Sequence, residues 1–227
     1  MAQQHEIHRW REIAAEEPLT TDEPLAGFTE QETPWRFETL AANLSQTADR
    51  ILDLDEELPH ASEGTYDLVI SRFGQIDATE IPGLLQPDGA FLTEQAGHDD
   101  LAEIHEDLTG PSAEPVVPRP SLMDLENALV RAGLTIERAA AFRARCTFAD
   151  VETLLRYTAR MTWLPTLQAD HPDLEATLER LAERFADGPL EATASRFVLL
   201  ARAPGTPDSG RLDLHSLPGG DLEVPRV

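Results

Sequence analysis

Residues 66–97, YDLVISRFGQIDATEIPGLLQPDGAFLTEQAG, decide the fold. Leu68, Val69 and Ile70 form a continuous apolar run, the pattern of a strand buried on both faces. Residues 80–86 carry Ile81, Leu84 and Leu85 and predict a short helix. Pro87-Asp88-Gly89 predicts a tight turn, with Pro presetting one φ angle and Gly taking a positive one. Residues 90–95 predict the next strand. Strand, helix and strand within about 30 residues make a βαβ unit, with parallel strands and a right-handed crossover.

Working outward, residues 3–17 predict a helix with Ile7, Trp10, Ile13 and Ala14 on one face. Residues 18–34 read as a linker rich in Thr, Asp, Glu and Pro. Residues 35–46 predict a second amphipathic helix, carrying Trp35, Phe37, Leu40, Ala41 and Leu44, and 50–54 (RILDL) a strand. Beyond the central unit, residues 98–108 predict a helix and 110–120 a Pro-rich loop. Residues 121–132 predict a well-signed helix, with Ser121 as N-cap, Asp124 three residues on and Gly133 at the end. A strand over 134–142, helices over 148–161 and 173–186, and a last strand over 195–202 complete the folded part. Residues 204–227, rich in Pro, Gly and Asp, read as a disordered tail.

The formal net charge is -24, and all 18 basic side chains are Arg. Such acidity repels nucleic-acid phosphate and anionic membranes, so neither is an expected partner. Cys146 is the single cysteine, which excludes an intrachain disulfide. No secretory leader and no bilayer-length apolar run is read, and the expected location is the cytoplasm. His5 and His8 lack metalloprotease spacing. His98 with Asp99 and Asp100 reads as helix-dipole partners rather than a cation site, so no metal is expected.

The central stretch resembles the second half of class I S-adenosylmethionine (SAM)-dependent methyltransferases. The residues that carry the resemblance are Tyr66-Asp67-Leu68-Val69 entering the strand, Ser71-Arg72 at its end, Leu84-Leu85-x-Pro87-x-Gly89, and Phe91-Leu92-Thr93-Glu94-Gln95. The family's usual turn is L-x-P-G-G, and here Asp88 replaces the first Gly. The resemblance implies an α/β fold: a truncated Rossmann-like sheet, mostly parallel, of about four to five strands. It also implies a division into an N-terminal helical segment (1–48), a methyltransferase-like domain (49–203) and the tail. A helical insertion over about 148–188 precedes the last strand, where such enzymes often carry a lid; a helical pair that stabilises the sheet edge is the alternative.

The sequence departs from the family after residues 50–54. The family follows this strand with a G-x-G-x-G loop, whose glycines let the backbone approach the cofactor. This chain has no glycine between Gly27 and Gly64 and continues Asp55-Glu56-Glu57-Leu58-Pro59. The acidic residue that binds the ribose hydroxyls has no counterpart either. One helical crossover needs at least about 10–12 residues, and the full fold needs three crossovers and two more strands here. The economical reading is a deletion that removes the second and third strands.

By resemblance, ligands sit at the strand ends. That points to Asp53, Asp55, Ser71 and Arg72 for the cofactor, and to Phe73, Glu94, Gln95 and Trp163 for a substrate. Relatives often carry His where Phe73 stands. Each of these is also readable as a fold residue without a ligand. With the glycine loop and ribose acid gone, SAM affinity is expected to fall by several kcal/mol, or orders of magnitude in binding constant. The favoured expectation is a degenerate, non-catalytic member that serves as a binding or partner subunit, with a protein partner or a second copy. The alternative is an active methyltransferase of reduced size with a rebuilt pocket and a small-molecule acceptor. The strand at Ile51 is expected at an exposed sheet edge, open to pairing or covered by the Trp35 helix.

Overall fold

The structure is a computed structural model, and it describes residues 2–14, 24–55, 64–109, 119–161, 164, 167 and 173–205. In chain order the elements are α1 (Ala2–Ala14), β1 (Phe28–Glu30), α2 (Phe37–Ser45), β2 (Ile51–Asp53), β3 (Tyr66–Arg72), α3 (Ile81–Leu84) and β4 (Leu85–Ala96). They continue with α4 (Ala102–Thr109), α5 (Leu122–Arg131), β5 (Thr135–Phe148), α6 (Val151–Arg160), α7 (Leu174–Arg184) and β6 (Leu190–Arg202). The strands form one six-stranded sheet in the order β1-β5-β6-β4-β3-β2.

The chain divides into two compact units, and β5 and β6 contribute one part to each. The first contains Met1–Glu32, Asp99–Arg119 and Arg143–Ala194. Here β1 pairs antiparallel with the end of β5, Phe28 opposite Phe148 and Glu30 opposite Cys146. The rings of Phe28, Phe148 and Tyr157 cluster beside this pairing, with Phe28 and Tyr157 centroids 4.4 Å apart. Asp150 caps α6 by accepting from Thr153 N–H at 2.7 Å, the expected role of Asp at a helix start. Arg9 of α1 reaches Glu152 of α6 at 2.5 Å.

The second unit contains Thr33–His98, Pro120–Phe142 and Ser195–Val227. Strands β2, β3 and β4 run parallel, and β6 joins β4 antiparallel. Period-2 alternation splits their side chains between two buried layers. Leu52, Val69, Phe91 and Leu199 pack with Ile81 of α3 and with Leu125 and Leu129 of α5. Leu68, Leu92, Val198 and Leu200 pack with Trp35 and Phe37 at the start of α2. Full burial of each such side chain contributes roughly 1.5–3 kcal/mol. The capping box of α5 forms as its sequence predicts: the Ser121 hydroxyl accepts from Asp124 N–H, and the Asp124 carboxylate accepts from Ser121 N–H.

The sheet differs from expectation in two ways. It is mixed rather than mostly parallel, since both β6 and β1 pair antiparallel, and it has six strands rather than four to five. Alternation records which side chains face a core and is blind to strand direction. The extra strand, β1, lies inside the stretch read as a linker. Three residues are too few to show a period, and β1 exists because β5 offers it a ladder.

The turn at Pro87-Asp88-Gly89 also differs. Two steps along β3, from Tyr66 to Leu68, match five along β4, from Leu85 to Ala90, so these residues form an irregularity within one long strand. Asp88, not Gly89, takes the positive φ, at 62°. Gly89 is needed for a different reason: a Cβ there would sit 2.8 Å from both Gln86 O and Tyr66 O.

Strand β2 has β3 as its one described neighbour, and Ile51 is 42% exposed. Trp163, the stretch 56–59, most of the loop 110–120 and the tail from 206 onward lie outside the described residues.

Candidate functional site

The carboxyl ends of β2, β3 and β4 bring seven of the eight predicted site residues into the second unit; Trp163 lies outside the described residues. Asp53 ends β2, Ser71 and Arg72 end β3, and Glu94 lies opposite Arg72 on β4. Ser71, Glu94 and Gln95 are buried. Phe73 leaves β3 at φ 61°, in the left-handed region that favours glycine.

Asp55 turns back onto the end of β3. One carboxylate oxygen accepts from the Ser71 hydroxyl at 3.2 Å, and the other accepts from Arg72 N–H. Its own N–H donates to Asp53 Oδ1 at 3.0 Å. Gly74 makes room for this contact, because a Cβ there would collide with Asp55 Oδ1 and stand 3.1 Å from Ser71 Oγ. Asp55 is exposed as a residue, but partial desolvation of its carboxyl pushes it above its usual range; the Arg72 N–H opposes that rise, and the neighbouring Asp53 charge adds to it.

Arg72 and Glu94 form the centre of a second network. Arg72 Nε donates to Glu94 Oε2 at 2.7 Å, and Arg72 Nη1 donates to Glu38 Oε1 at 2.6 Å. Trp35 Nε1 donates to the other Glu94 oxygen at 2.7 Å. The buried carboxylate therefore has a donor on each oxygen, as a buried charge requires. The Glu38 carboxyl is held below its usual range by backbone N–H at the start of α2 and, beyond that, by the Arg72 charge. The Arg72 guanidinium also lies 5.4 Å from the Phe73 ring centroid, and the buried Arg196 lies 5.5 Å from the same ring. Gln95 Nε2 donates to Thr93 Oγ1 at 2.9 Å.

Trp35, Glu38, Gly74 and Arg196 escaped the sequence reading. Trp35 and Glu38 had a weak signal, their place at the entry to an amphipathic helix; the structure starts α2 at Phe37, so Trp35 precedes it and Glu38 lies in its first turn. Gly74 and Arg196 had none, because their roles depend on Asp55 and Phe73, which are distant in sequence from at least one of them.

The strand-end residues do not fit SAM as they stand. The hydroxyl and N–H that end β3 already hold Asp55, and Arg72 already holds Glu94 and Glu38. Among the described residues no group of three or more His, Cys, Asp or Glu is placed to hold a metal ion. Asp99, considered above as a cation ligand, is bound to Arg143. No described helix is long and apolar enough to cross a membrane.

No family model matches the sequence, and no curated protein matches it. Solved structures do. A candidate methyltransferase from Bacillus halodurans is 14% identical, with 66% of this chain and 68% of that chain covered and a TM-score of 0.41. A geranyl diphosphate methyltransferase in complex with SAM is 14% identical, with 64% and 54% covered and a TM-score of 0.33. A complex of a Haloferax volcanii methyltransferase activator with a candidate methyltransferase gives 20% identity, 66% and 59% coverage and a TM-score of 0.33. In the last two the chain spans less than two thirds of the solved protein's length. The solved structures that this chain is similar to thus include methyltransferases, one of them in complex with SAM.

Proposed function

We propose that this is a methyltransferase-like domain without catalytic activity, working as a binding or partner subunit in the cytoplasm. The observation that carries the proposal is the closure of the strand ends. Asp55 occupies the donors that end β3, and Arg72 is held between Glu94 and Glu38. Methyl transfer needs a sulfonium cofactor and an acceptor held in line with its methyl group. Every residue read as a cofactor contact is instead bonded to another residue of this chain. The partner is a protein, either a second copy or a different chain. Nucleic acid is disfavoured by the net charge of -24.

Calorimetric titration of the purified chain with SAM, and with its demethylated product, tests the proposal. The expected result is no heat and no thermal shift at millimolar cofactor. Micromolar binding would overturn it and favour the alternative, an active small-molecule methyltransferase whose strand ends rearrange around the cofactor.

A further inference from the structure

We infer that the end of β3 is a carboxylate-binding cradle, and that Asp55 is its built-in occupant, adding a side-chain tie between the edge strand β2 and β3. The inference deepens the reading of closed strand ends and rests on it. Four features build the cradle. Ser71 Oγ and Arg72 N–H are two donors on consecutive residues, and both point at one carboxylate. Phe73, at φ 61°, swings the chain away from the strand direction immediately after them. Gly74 then removes the Cβ that would fill the space, and its φ lies outside the positive region, so backbone freedom does not explain the glycine. Ser71 is fully buried, so water does not compete with Asp55 for its hydroxyl.

The arrangement has a mechanical consequence. Strand β2 is three residues long; its ladder with β3 pairs Ile51, Leu52 and Asp53, the Leu54 N–H to Ile70 O and Asp67 N–H to Arg50 O bonds continue it at either end, and the Asp67 carboxylate accepts from Asp49 and Arg50 N–H before it. Asp55 adds two side-chain bonds to the end of β3 just past the last paired residue, at the carboxyl end of the strands, the end at which ligands bind in open α/β sheets.

The test uses the full chain as wild type, Asp55→Ala, Gly74→Ala, the double variant and Asp55→Asn. Unfolding midpoints are read in sodium formate and in sodium chloride at equal ionic strength; formate is the smallest carboxylate that can replace the side chain. Asp55→Ala is expected to lower the midpoint by several degrees, and Asp55→Asn, which keeps one acceptor oxygen, by less. Formate is expected to raise the midpoint over chloride in Asp55→Ala and not in wild type. Gly74→Ala is expected to destabilise wild type, because its methyl expels Asp55. In the double variant it should add no further loss and should abolish the formate effect. Equal behaviour of formate and chloride in Asp55→Ala and Asp55→Asn, or additive losses in the double variant, would overturn the cradle. SAM titration separates this result from the functional reading. Binding of SAM by wild type with formate rescue intact defeats the non-catalytic reading alone, and failure of rescue without SAM binding defeats the cradle alone.

Discussion

Arg72 and Glu94, facing each other across the β3–β4 ladder, form an ion pair at 2.7 Å in which the Glu94 side chain is almost fully buried and the Arg72 side chain is 43% exposed. Both are residues read from the sequence as ligand contacts; in the structure they also bond each other, and Trp35, just before α2, and Glu38, in its first turn, complete the network.

Arg72→Ala is therefore expected to lower stability. It leaves one Glu94 oxygen buried without its donor, a change worth about 1–3 kcal/mol. Half-exposed Arg72 lets water replace part of the loss, so the lower half of that range is expected. Urea unfolding of Arg72→Ala checks this, and a midpoint equal to wild type would return Arg72 to the list of ligand contacts. Trp35→Phe, which removes the donor to the other oxygen, is expected to cost about 1 kcal/mol.

The two shifted carboxyls give opposite pH dependence. Asp55 is raised above its ordinary 3.8. Its contribution is fully present below that value and is lost as pH climbs through the higher folded value. Glu38 is lowered from 4.5, so its contribution is present above 4.5 and is lost as pH falls through the folded value. The stability difference between wild type and Asp55→Asn should thus shrink as pH rises from about 3.8. The difference between wild type and Glu38→Gln should shrink as pH falls below 4.5. Stability curves across pH 3 to 7 (roughly the carboxylate range) check both signs, and a parallel trend in the two pairs would contradict the assignment.

Gly89→Ala is expected to destabilise by about 1–3 kcal/mol, the range for an overpacked interior. Its methyl would meet two backbone carbonyls at 2.8 Å, and neither can rotate away. Asp88→Gly is expected to stay within about 1 kcal/mol of wild type, since it relieves a left-handed φ at the cost of unfolded-state entropy. Thermal melts of the two variants decide between this account and a turn in which Gly89 takes the positive φ, which predicts that Asp88 tolerates glycine no better than any other residue.

The charge of -24 is expected to make stability rise with salt. Screening shortens the Debye length from about 10 Å at 0.1 M to about 3 Å at 1 M, which weakens repulsion among the carboxylates more than it weakens the close ion pairs. Unfolding midpoints measured over this range of sodium chloride should increase. A decrease would mean that exposed pairs such as Arg72 with Glu38 outweigh the repulsion.

Much of the fold was legible. The apolar run Leu68-Val69-Ile70, the Ser121 and Asp124 box and the amphipathic stripes of α2, α6 and α7 each stand in the structure where the sequence put them. The candidate site was legible as a set of positions: Asp53, Asp55, Ser71, Arg72, Phe73, Glu94 and Gln95 do gather at neighbouring strand ends. Their bonding was not legible. Whether Arg72 meets a ligand or Glu94 depends on register between strands about twenty residues apart, and a motif carries no register.

The sequence by itself determined the order of the elements other than β1, the parallel β3–β4 pair and the absence of a glycine loop after β2, because burial periodicity, turn chemistry and glycine are local properties of the chain. Only the tertiary structure decided the direction of β6, the existence of β1 and the meeting of Asp55 with Ser71 and of Arg72 with Glu94. Those depend on which distant backbone supplies a ladder and which distant side chain reaches a buried donor first. Both are settled by packing rather than by any stretch of sequence.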